Sequence, residues 1–252
     1  MGEGLFEKVE WAWSQDSGGY DELIQKQLGR RRDVDHWQGE LRSVLGPDCQ
    51  EVLDVGCGPG FFSVLLLRLG YTVQSLDGAE GMVERARKNI AATGFEPRIS
   101  LGDAVKLDRY QPGSLDAIVS RDVVWTLYDP ERAFRRWREL LREEGKVVIY
   151  DGNYRYDHSS LKYRLGKGIS TIVKFCTEGR KALTRQHHTN GNGFEELPMI
   201  QYQRPERDFE LLQKAGYSRV KVTPDRFRNS PLHLDFWKYG YQGTRFRIIA
   251  YR

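Results

Sequence analysis

The sequence predicts an α/β fold in which a mostly parallel sheet carries helices on both faces. Two observations lead to this prediction. Short segments rich in Val, Ile and Leu alternate with amphipathic helical segments between residues 51 and 151. The first apolar segment, at 51 to 55, runs into a glycine-rich turn before helical spacing begins at 61. At 252 residues, the chain is long enough for one domain of this class with an added segment.

The turn after the first strand places glycine at three alternating positions, Gly56, Gly58 and Gly60. Glycine lacks a Cβ atom and tolerates positive φ, so this backbone can approach a bound molecule closely. The dinucleotide fingerprint G-x-G-x-x-G needs its third glycine at position 61, where Phe61 stands. The spacing therefore indicates a nucleotide-like ligand and argues against a dinucleotide.

Polar residues end the other predicted strands of this region. The strand at 71 to 76 ends at Asp77, where a carboxylate can accept hydrogen bonds from both hydroxyls of a ribose, as in NAD enzymes. The next two strands end near Asp103 and at Arg121. Because ligands of open α/β sheets bind at the carboxyl ends of the strands, we expect Gly56, Asp77, Asp103 and Arg121 to meet at one edge.

These segments resemble the motifs of the class I, Rossmann-like methyltransferases that use S-adenosylmethionine (SAM). Residues 54 to 60 have the form D-x-G-x-G-x-G, which is similar to the first motif of that family. Residues 77 to 86 resemble its D-x-S-x-x-M-x-x-x-A segment, with Ala79 where serine is usual. Residues 139 to 149 resemble its R-x-L-K-P-G-G turn but carry Glu-Glu-Gly at 143 to 145. That turn lies away from the cofactor, so the departure should affect stability more than chemistry.

The resemblance implies the full architecture and the chemistry. The fold would be a three-layer, Rossmann-like, doubly wound sheet of seven strands, the seventh antiparallel and placed between the fifth and sixth. The enzyme would be a SAM-dependent methyltransferase that releases S-adenosylhomocysteine (SAH). The motif positions imply these cofactor-binding residues: Tyr20, Asp54, Gly56, Cys57, Gly58, Gly60, Asp77, Gly78, Met82, Asp103, Ala104 and Arg121.

Four of these residues have roles that the resemblance implies. Asp77 would accept hydrogen bonds from the ribose, Asp103 would face the adenine amino group, and Met82 would cover one adenine face. Tyr20 would contact the methionine end of SAM.

Four segments are expected along the chain. Residues 1–48 are a helical lead-in that folds over the cofactor, and 49–151 form the SAM-binding core. Residues 152–203 interrupt the alternation with about 50 residues where regular connections have ~2–6, which predicts a substrate cap. Residues 204–252 complete the core with a helix and two strands. Helices are expected at 20–28, 34–45, 130–143 and within 159–181, and a turn at 191–193.

Composition limits the cellular setting and the partners. A net charge of +4 argues against nucleic acid as a partner. No apolar run is long enough to predict a membrane span, and no signal peptide is indicated. Three widely spaced cysteines favour a reduced, cytoplasmic protein without structural zinc. We expect a small-molecule methyl acceptor as partner, and the oligomeric state stays open, a homodimer included.

The methyl acceptor and a general base are harder to place. Histidine is the usual base near neutral pH. The chain offers four catalytic candidates, His158, His187, His188 and His233. The alternative for each of them is a solvent-exposed or hydrogen-bonded histidine without a catalytic role. No ligand spacing for a metal accompanies them. Residues after the fourth and fifth strands are expected to line the acceptor pocket: Trp125, Asp151, Tyr154 and Tyr156.

Alternative functions of the same fold stay open at this level. An RNA or protein methyltransferase is one, although the chain lacks an Asn-Pro-Pro-Tyr type tetrad after the fourth strand. A SAM-binding module without catalysis is another. An NAD-dependent oxidoreductase is disfavoured by Phe61.

Overall fold

A computed structural model describes residues 2–154, 160–179 and 194–252. Across these residues seven strands form one sheet in the order β3-β2-β1-β4-β5-β7-β6. The strands are β1 (Glu51–Val55), β2 (Thr72–Asp77), β3 (Ile99–Leu101), β4 (Leu115–Arg121), β5 (Leu141–Gly152), β6 (Arg219–Pro224) and β7 (Arg245–Tyr251). The helices are α1 (Gly2–Leu28), α2 (Arg31–Leu45), α3 (Phe61–Arg68), α4 (Glu80–Ala92), α5 (Pro130–Leu140), α6 (Leu161–Glu178), α7 (Glu206–Lys214) and α8 (Leu234–Tyr239).

The sheet has the predicted topology. Strands β1 to β5 pair in parallel, while β7 is antiparallel to both β5 and β6 and lies between them. At the end of β1, Val55 is opposite Leu76 of β2 on one side and Ser120 of β4 on the other. The residues that follow these three strands therefore emerge side by side at one edge of the sheet.

Alternating side chains of the sheet are buried on opposite faces. Leu53 and Val55 belong to a core that includes Trp137 of α5, whereas Val52 packs in a second core with Trp37 of α2. Both tryptophans are buried. Full burial of a large apolar side chain stabilises the fold by about 1.5–3 kcal/mol, so these two layers hold the strand ends rigidly in place.

The lead-in is more helical than the sequence pattern indicates, because α1 runs from Gly2 rather than from residue 20. Its polar side chains tie it to α4. The Ser14 hydroxyl accepts a hydrogen bond from the Gly81 backbone N–H at 3.0 Å, and Asp21 pairs with Arg85 at 3.2 Å. Helix α1 therefore crosses the carboxyl edge of β2 above the sheet.

Two other element bounds differ from or refine the predictions. Helix α5 starts after the Asp129 side chain, which caps the Arg132 N–H at 3.0 Å, and ends at Leu140 rather than at 143. It ends there because Leu141 already pairs with Leu115 of β4. The segment predicted to be a cap contains α6 within the range expected for a helix, and α6 packs on α8 through Ser170, whose hydroxyl donates to the Lys238 carbonyl. The turn predicted at 191–193 lies outside the described residues.

Candidate active site

The glycine turn is tied to the end of β2 by backbone hydrogen bonds. The Gly56 and Cys57 N–H groups both donate to the Leu76 carbonyl, at 2.7 and 3.0 Å. The Gly58 N–H donates to the Asp77 carboxylate at 2.8 Å. Gly56 has φ +68°, and a Cβ atom there would lie 2.3 Å from a Val123 methyl group. Only glycine fits this position. Its close approach to Val123, together with the hydrogen bonds to Leu76 and Asp77, holds the ends of β1, β2 and β4 near one another.

A cleft opens at this edge of the sheet, with about 670 Å³ of empty space counted together with the adjoining solvent. Helix α1 forms one wall and the ends of β1, β2 and β4 form the others. The lining residues are Phe6, Glu10, Trp13, Tyr20, Gly56, Gly58, Leu76, Asp77, Gly78, Met82, Asp103, Ala104, Val105, Arg121, Asp122, Val123, Thr126, Leu127 and Tyr128.

Two predicted carboxylates face this cleft in different settings. Burial raises the pKa of Asp77 to about 6, although the backbone N–H groups of Ala79 and Gly58 donate to it and oppose the rise. Asp103 accepts a hydrogen bond from the Tyr128 hydroxyl at 2.7 Å. The cleft thus offers one carboxylate held by backbone N–H groups and another held by a phenol.

Asp122 stands at the opposite end of the cleft in a left-handed conformation, with φ +60°. Arg228 Nη1 donates to both of its oxygens, at 2.7 and 3.0 Å, and the Tyr154 hydroxyl donates at 2.7 Å. Burial alone would raise the pKa of Asp122, but Arg228 and Arg121 outweigh it and hold the pKa at about 2. Asp122 is therefore an ionised group fixed by two arginines.

Comparison with known proteins identifies the family. Residues 53–149 match the family model of a methyltransferase domain. Over 216 residues the chain is 26% identical to the glycine/sarcosine N-methyltransferase of Halorhodospira halochloris, covering 82% of this chain and 78% of that protein. Over 156 residues it is 31% identical to an uncharacterized methyltransferase of Geobacillus sp. (strain WCH70), covering 60% of this chain and 68% of the relative. The chain belongs to the class I SAM-dependent methyltransferases.

The fold agrees with this family membership. The solved structure of a SAM-dependent methyltransferase from Thermotoga maritima superposes with a TM-score of 0.58 at 18% sequence identity, covering 95% of this chain and 98% of that one. The predicted fold class is confirmed. SAM is the cofactor of this methyltransferase, and SAH is the product that methyl transfer leaves.

Nine of the twelve residues predicted to bind SAM line the cleft. They are Tyr20, Gly56, Gly58, Asp77, Gly78, Met82, Asp103, Ala104 and Arg121. They come from five separate parts of the chain, and the sheet topology brings them together.

The other three predicted cofactor residues support the turn instead of lining the cleft. Asp54 accepts a hydrogen bond from the Ser63 hydroxyl at 2.6 Å, and burial raises the pKa of Asp54 to about 7. The Cys57 side chain is buried with its thiol near the Gly58 carbonyl. Gly60, at φ +93°, precedes α3 and lies against Ala86 of α4. These three residues face the interior because β1 and α3, which the turn connects, are both packed in the core.

Glu10 is the main feature of the cleft that sequence reasoning missed. Its carboxyl group lies against Gly78, where a Cβ atom would be only 2.4 Å from Glu10 Cδ. Burial, followed by the charges of Asp77 and Asp103, raises the pKa of Glu10 well above its usual value of 4.5. Three acidic groups therefore converge at one end of the cleft. The signal available in the sequence was the dense aromatic pattern of α1, which includes Phe6 and Trp13 of the lining.

The raised pKa of Glu10 predicts a pH effect on stability. Because the folded protein holds this proton more tightly than the unfolded chain, the stabilisation is complete below about pH 4.5 and is lost as pH rises above it. We expect Glu10→Gln to flatten the fall in the free energy of unfolding as pH rises above about 4.5, measured by urea titration. Glu7→Gln, an exposed change on the same helix, is the control and should leave the pH dependence as in the wild type. An unchanged slope in Glu10→Gln would show that Glu10 does not hold the proton.

The acceptor-pocket predictions have mixed placements. Asp151 is fully buried and pairs with Arg204 Nη2 at 3.1 Å, so it is part of an internal ion pair rather than of the cleft wall. The Trp125 ring packs behind the cleft against Trp13 and Tyr154, with centroid distances of 6.3 and 5.6 Å. Tyr154 reaches the cleft only through its hydrogen bond to Asp122. Tyr156 lies outside the described residues.

The histidine predictions find no support in the cleft. His233 lies against the Phe227 ring at 4.0 Å between centroids, and His36 stacks on the same ring at 3.6 Å. Burial lowers the pKa of both imidazoles, more than nearby carboxylates raise it. His233 belongs to this aromatic stack and does not line the cleft. The candidates His158, His187 and His188 lie outside the described residues.

Metal-binding clusters and membrane-spanning helices are both absent from the described residues. Within residues 2–154, 160–179 and 194–252, no group of three or more His, Cys, Asp or Glu side chains could hold a metal ion. In the same ranges, every helix is too short or too polar to cross a membrane.

Proposed function

We propose that this methyltransferase transfers the SAM methyl group to a small molecule bound in the cleft between α1 and the ends of β1, β2 and β4. The observation that supports the proposal is the convergence of nine motif residues on one cleft that α1 covers. A roof formed by Phe6, Trp13 and Tyr20 leaves room for a compact acceptor and obstructs a polymer.

The residues of the cleft fit SAM. Gly56 and Gly58 present bare backbone to it, which a side chain at either position would obstruct. Asp77 is proposed to accept hydrogen bonds from the ribose hydroxyls, and Asp103 from the adenine amino group. Met82 is proposed to pack against the adenine ring. When bound, SAM supplies a methyl group on a positively charged sulfur, whose departure as SAH needs little help from the protein.

The protein's own contribution is to place the acceptor in line with the methyl group. An acceptor atom with a free lone pair forms the new bond to the methyl carbon while the carbon–sulfur bond breaks and SAH leaves. An amine that enters as an ammonium ion must first lose a proton, which solvent can take. Fixing the two partners in such a geometry can contribute ~7–11 kcal/mol to lowering the barrier.

The acceptor is proposed to be a small amine of the amino-acid type. The relative from Halorhodospira halochloris, matched over most of both chains, is a glycine/sarcosine N-methyltransferase. At the end of the cleft near β4, Arg121 can attract the anionic group of such an acceptor, whereas the charge of Asp122 is already paired with Arg228.

The segment 152–203 is proposed to be the cap over this acceptor end, in line with the proposed division of the chain into lead-in, core, cap and completion. Phe194 and Leu197 of the cap are fully buried and pack with Val9 and Ala12 of α1 and with Trp125. Phe194 also contacts the Trp13 ring, at 6.4 Å between centroids, and Trp13 lines the cleft. The cap therefore supports the roof of the cleft from behind.

The proposal is tested by measuring SAH release from SAM with glycine, sarcosine and a panel of small amines, alcohols and thiols, and with bulk RNA and protein as polymers. We expect turnover with a small amine and none with the polymers. Phe194→Ala should lower kcat/KM while leaving the SAH Kd within about twofold, with the exposed change Tyr202→Ala as control. Turnover only with RNA or protein, or SAH binding without any turnover across a broad panel, would contradict the proposal.

A further inference from the structure

Helix α6 presents an apolar face to solvent. Its large apolar side chains are between 45% and 70% exposed, and we call them the α6 stripe: Leu161, Leu165, Ile169, Ile172 and Phe175. They recur every three or four residues, so they lie along one side of the helix. A surface helix of a globular protein normally directs such a stripe at the core and its charged side chains outward. Exposed apolar patches of this kind mark interaction surfaces.

The opposite face of α6 packs against the protein. The Tyr163 ring lies 5.3 Å from the Tyr241 ring between centroids, and a Cβ atom at Gly166 would be 2.7 Å from Tyr241 Cβ. The Ser170 hydroxyl donates to the Lys238 carbonyl of α8. With ~3.6 residues per turn, these contacts lie on the far side of the helix from the α6 stripe. The stripe therefore cannot turn toward the core unless these contacts break.

Basic side chains border the α6 stripe. Lys162, Arg164 and Lys167 are exposed. Helical spacing puts Lys162 at one edge of the stripe and Arg164 at the other. The one acidic residue of α6, Glu178, is paired with Lys238. An apolar stripe with basic edges fits the surface of an anionic lipid layer, where apolar side chains enter the acyl boundary and long basic side chains reach the headgroups.

The segments next to α6 have the same character. Three more large apolar side chains are exposed in and before α8: Leu232, Leu234 and Trp237. Tryptophan is enriched where membranes meet water. The basic run at 30–32 adjoins α8, because Arg30 pairs with Asp235 at 3.4 Å. Apolar and basic side chains are thus brought together from three separate parts of the chain.

We propose that α6 docks the enzyme on a membrane surface that carries anionic phospholipid headgroups, with the α6 stripe at the acyl boundary and Lys162 and Arg164 on the headgroups. This docking goes beyond the proposed function and does not depend on it, because no described residue of α6 lines the cleft. A second copy of the chain fits this surface less well. In a two-fold dimer the same surface meets itself, so basic side chains would face basic side chains without acidic partners.

The test is co-sedimentation of the full chain with lipid vesicles. One set of vesicles is phosphatidylcholine alone, and the other mixes phosphatidylcholine with phosphatidylglycerol, which is anionic. We expect the wild type to bind the mixed vesicles at least about tenfold more tightly than the neutral ones, because each basic side chain near an anionic surface adds to the attraction. Raising the salt concentration should reduce this difference.

Two double variants separate the apolar and basic parts of the surface. Leu165→Ser with Ile172→Ser should weaken binding to the mixed vesicles by about tenfold or more. Lys162→Gln with Arg164→Gln should reduce the preference for mixed over neutral vesicles. Leu101→Ser is the matched control, because Leu101 is also 45% exposed but lies on the edge strand β3. It should bind as the wild type does.

The outcomes are decided on folded variants, shown by a circular dichroism spectrum and an SAH Kd like those of the wild type. Lack of vesicle binding by the wild type overturns the docking, as does equal binding to both kinds of vesicle or unchanged binding by Leu165→Ser with Ile172→Ser. A wild-type dimer without lipid that this double variant makes monomeric, measured by sedimentation velocity, also overturns it, because a second copy then covers the stripe. Lack of turnover with every small amine would instead contradict the proposed function alone.

Discussion

Asp77→Ala is expected to weaken SAH binding by ~1–3 kcal/mol, which corresponds to about five- to 150-fold in Kd, measured by calorimetry. Asp77 ends β2 and faces the cleft, where its carboxylate is proposed to accept hydrogen bonds from the ribose. Hydrogen bonds to a charged acceptor are the stronger kind, and water does not replace them equally well in a half-enclosed cleft.

Asp77 also has a structural role that the experiment must separate. Its two oxygens accept hydrogen bonds from the Gly58 and Ala79 N–H groups at 2.8 and 2.9 Å, so its loss also loosens the glycine turn. Asp116 provides the control, because it accepts from the Gln50 and Glu51 N–H groups at 2.9 and 2.8 Å at the opposite end of β1. Asp116→Ala should lower stability without changing the SAH Kd. A folded Asp77→Ala variant with wild-type affinity would remove Asp77 from the cofactor site.

Arg204→Ala is expected to lower the free energy of unfolding by ~3–5 kcal/mol, measured by urea denaturation. Arg204 Nη2 pairs with Asp151 at 3.1 Å and its Nε donates to Asp208 at 2.8 Å, and the side chains of all three residues are fully buried. Removing the arginine leaves two carboxylates in the interior without a positively charged partner. Burial already raises the pKa of Asp151 to about 6 despite the charge of Arg204, so ionising Asp151 alone would cost still more.

The same variant tests the placement of Asp151. If Asp151 serves the internal ion pair, Arg204→Ala loses stability but keeps the SAH Kd of the wild type under conditions in which it is folded. Arg207→Ala is the control, since Arg207 pairs with Glu210 at the surface and should change stability by less than about 1 kcal/mol. A loss of turnover in Arg204→Ala with full stability would return Asp151 to the acceptor pocket.

Positions at the ends of the strands were predictable from the sequence. Asp77, Asp103 and Arg121 were each placed by the strand that precedes them, and all three line the cleft. The carboxyl ends of parallel strands lie at the same edge of the sheet. A residue at the end of its strand is therefore expected at that edge, where ligands bind. The antiparallel β7 came from the family resemblance and was found between β5 and β6.

The direction of a side chain was not predictable from the sequence where it depends on the residues that pack against it. Asp54 and Asp151 both lie near the ends of strands, yet both side chains face the interior. Asp54 accepts a hydrogen bond from the Ser63 hydroxyl, and Asp151 pairs with the Arg204 guanidinium. Neither partner is identifiable from spacing, since Arg204 is 53 residues away from Asp151. Glu10 was not predicted, because the pattern of α1 does not distinguish it from a carboxylate on the surface of an ordinary helix. It lines the cleft because α1 crosses the edge of the sheet.

The fold class and the methyl donor were both predictable from the sequence: the fold class from the apolar period of the strands and the glycine turn, and the methyl donor from the resemblance of the motifs to those of the SAM-dependent methyltransferases. Tertiary packing is needed to know which polar groups line the cleft. It brings Arg121 and Asp122 to one end of the cleft, where Arg228 pairs with Asp122 from behind, and Glu10, Asp77 and Asp103 to the other. The direction of a polar side chain depends on its burial and on its charged neighbours in three dimensions. Those neighbours come from helices and strands that are far apart in the chain.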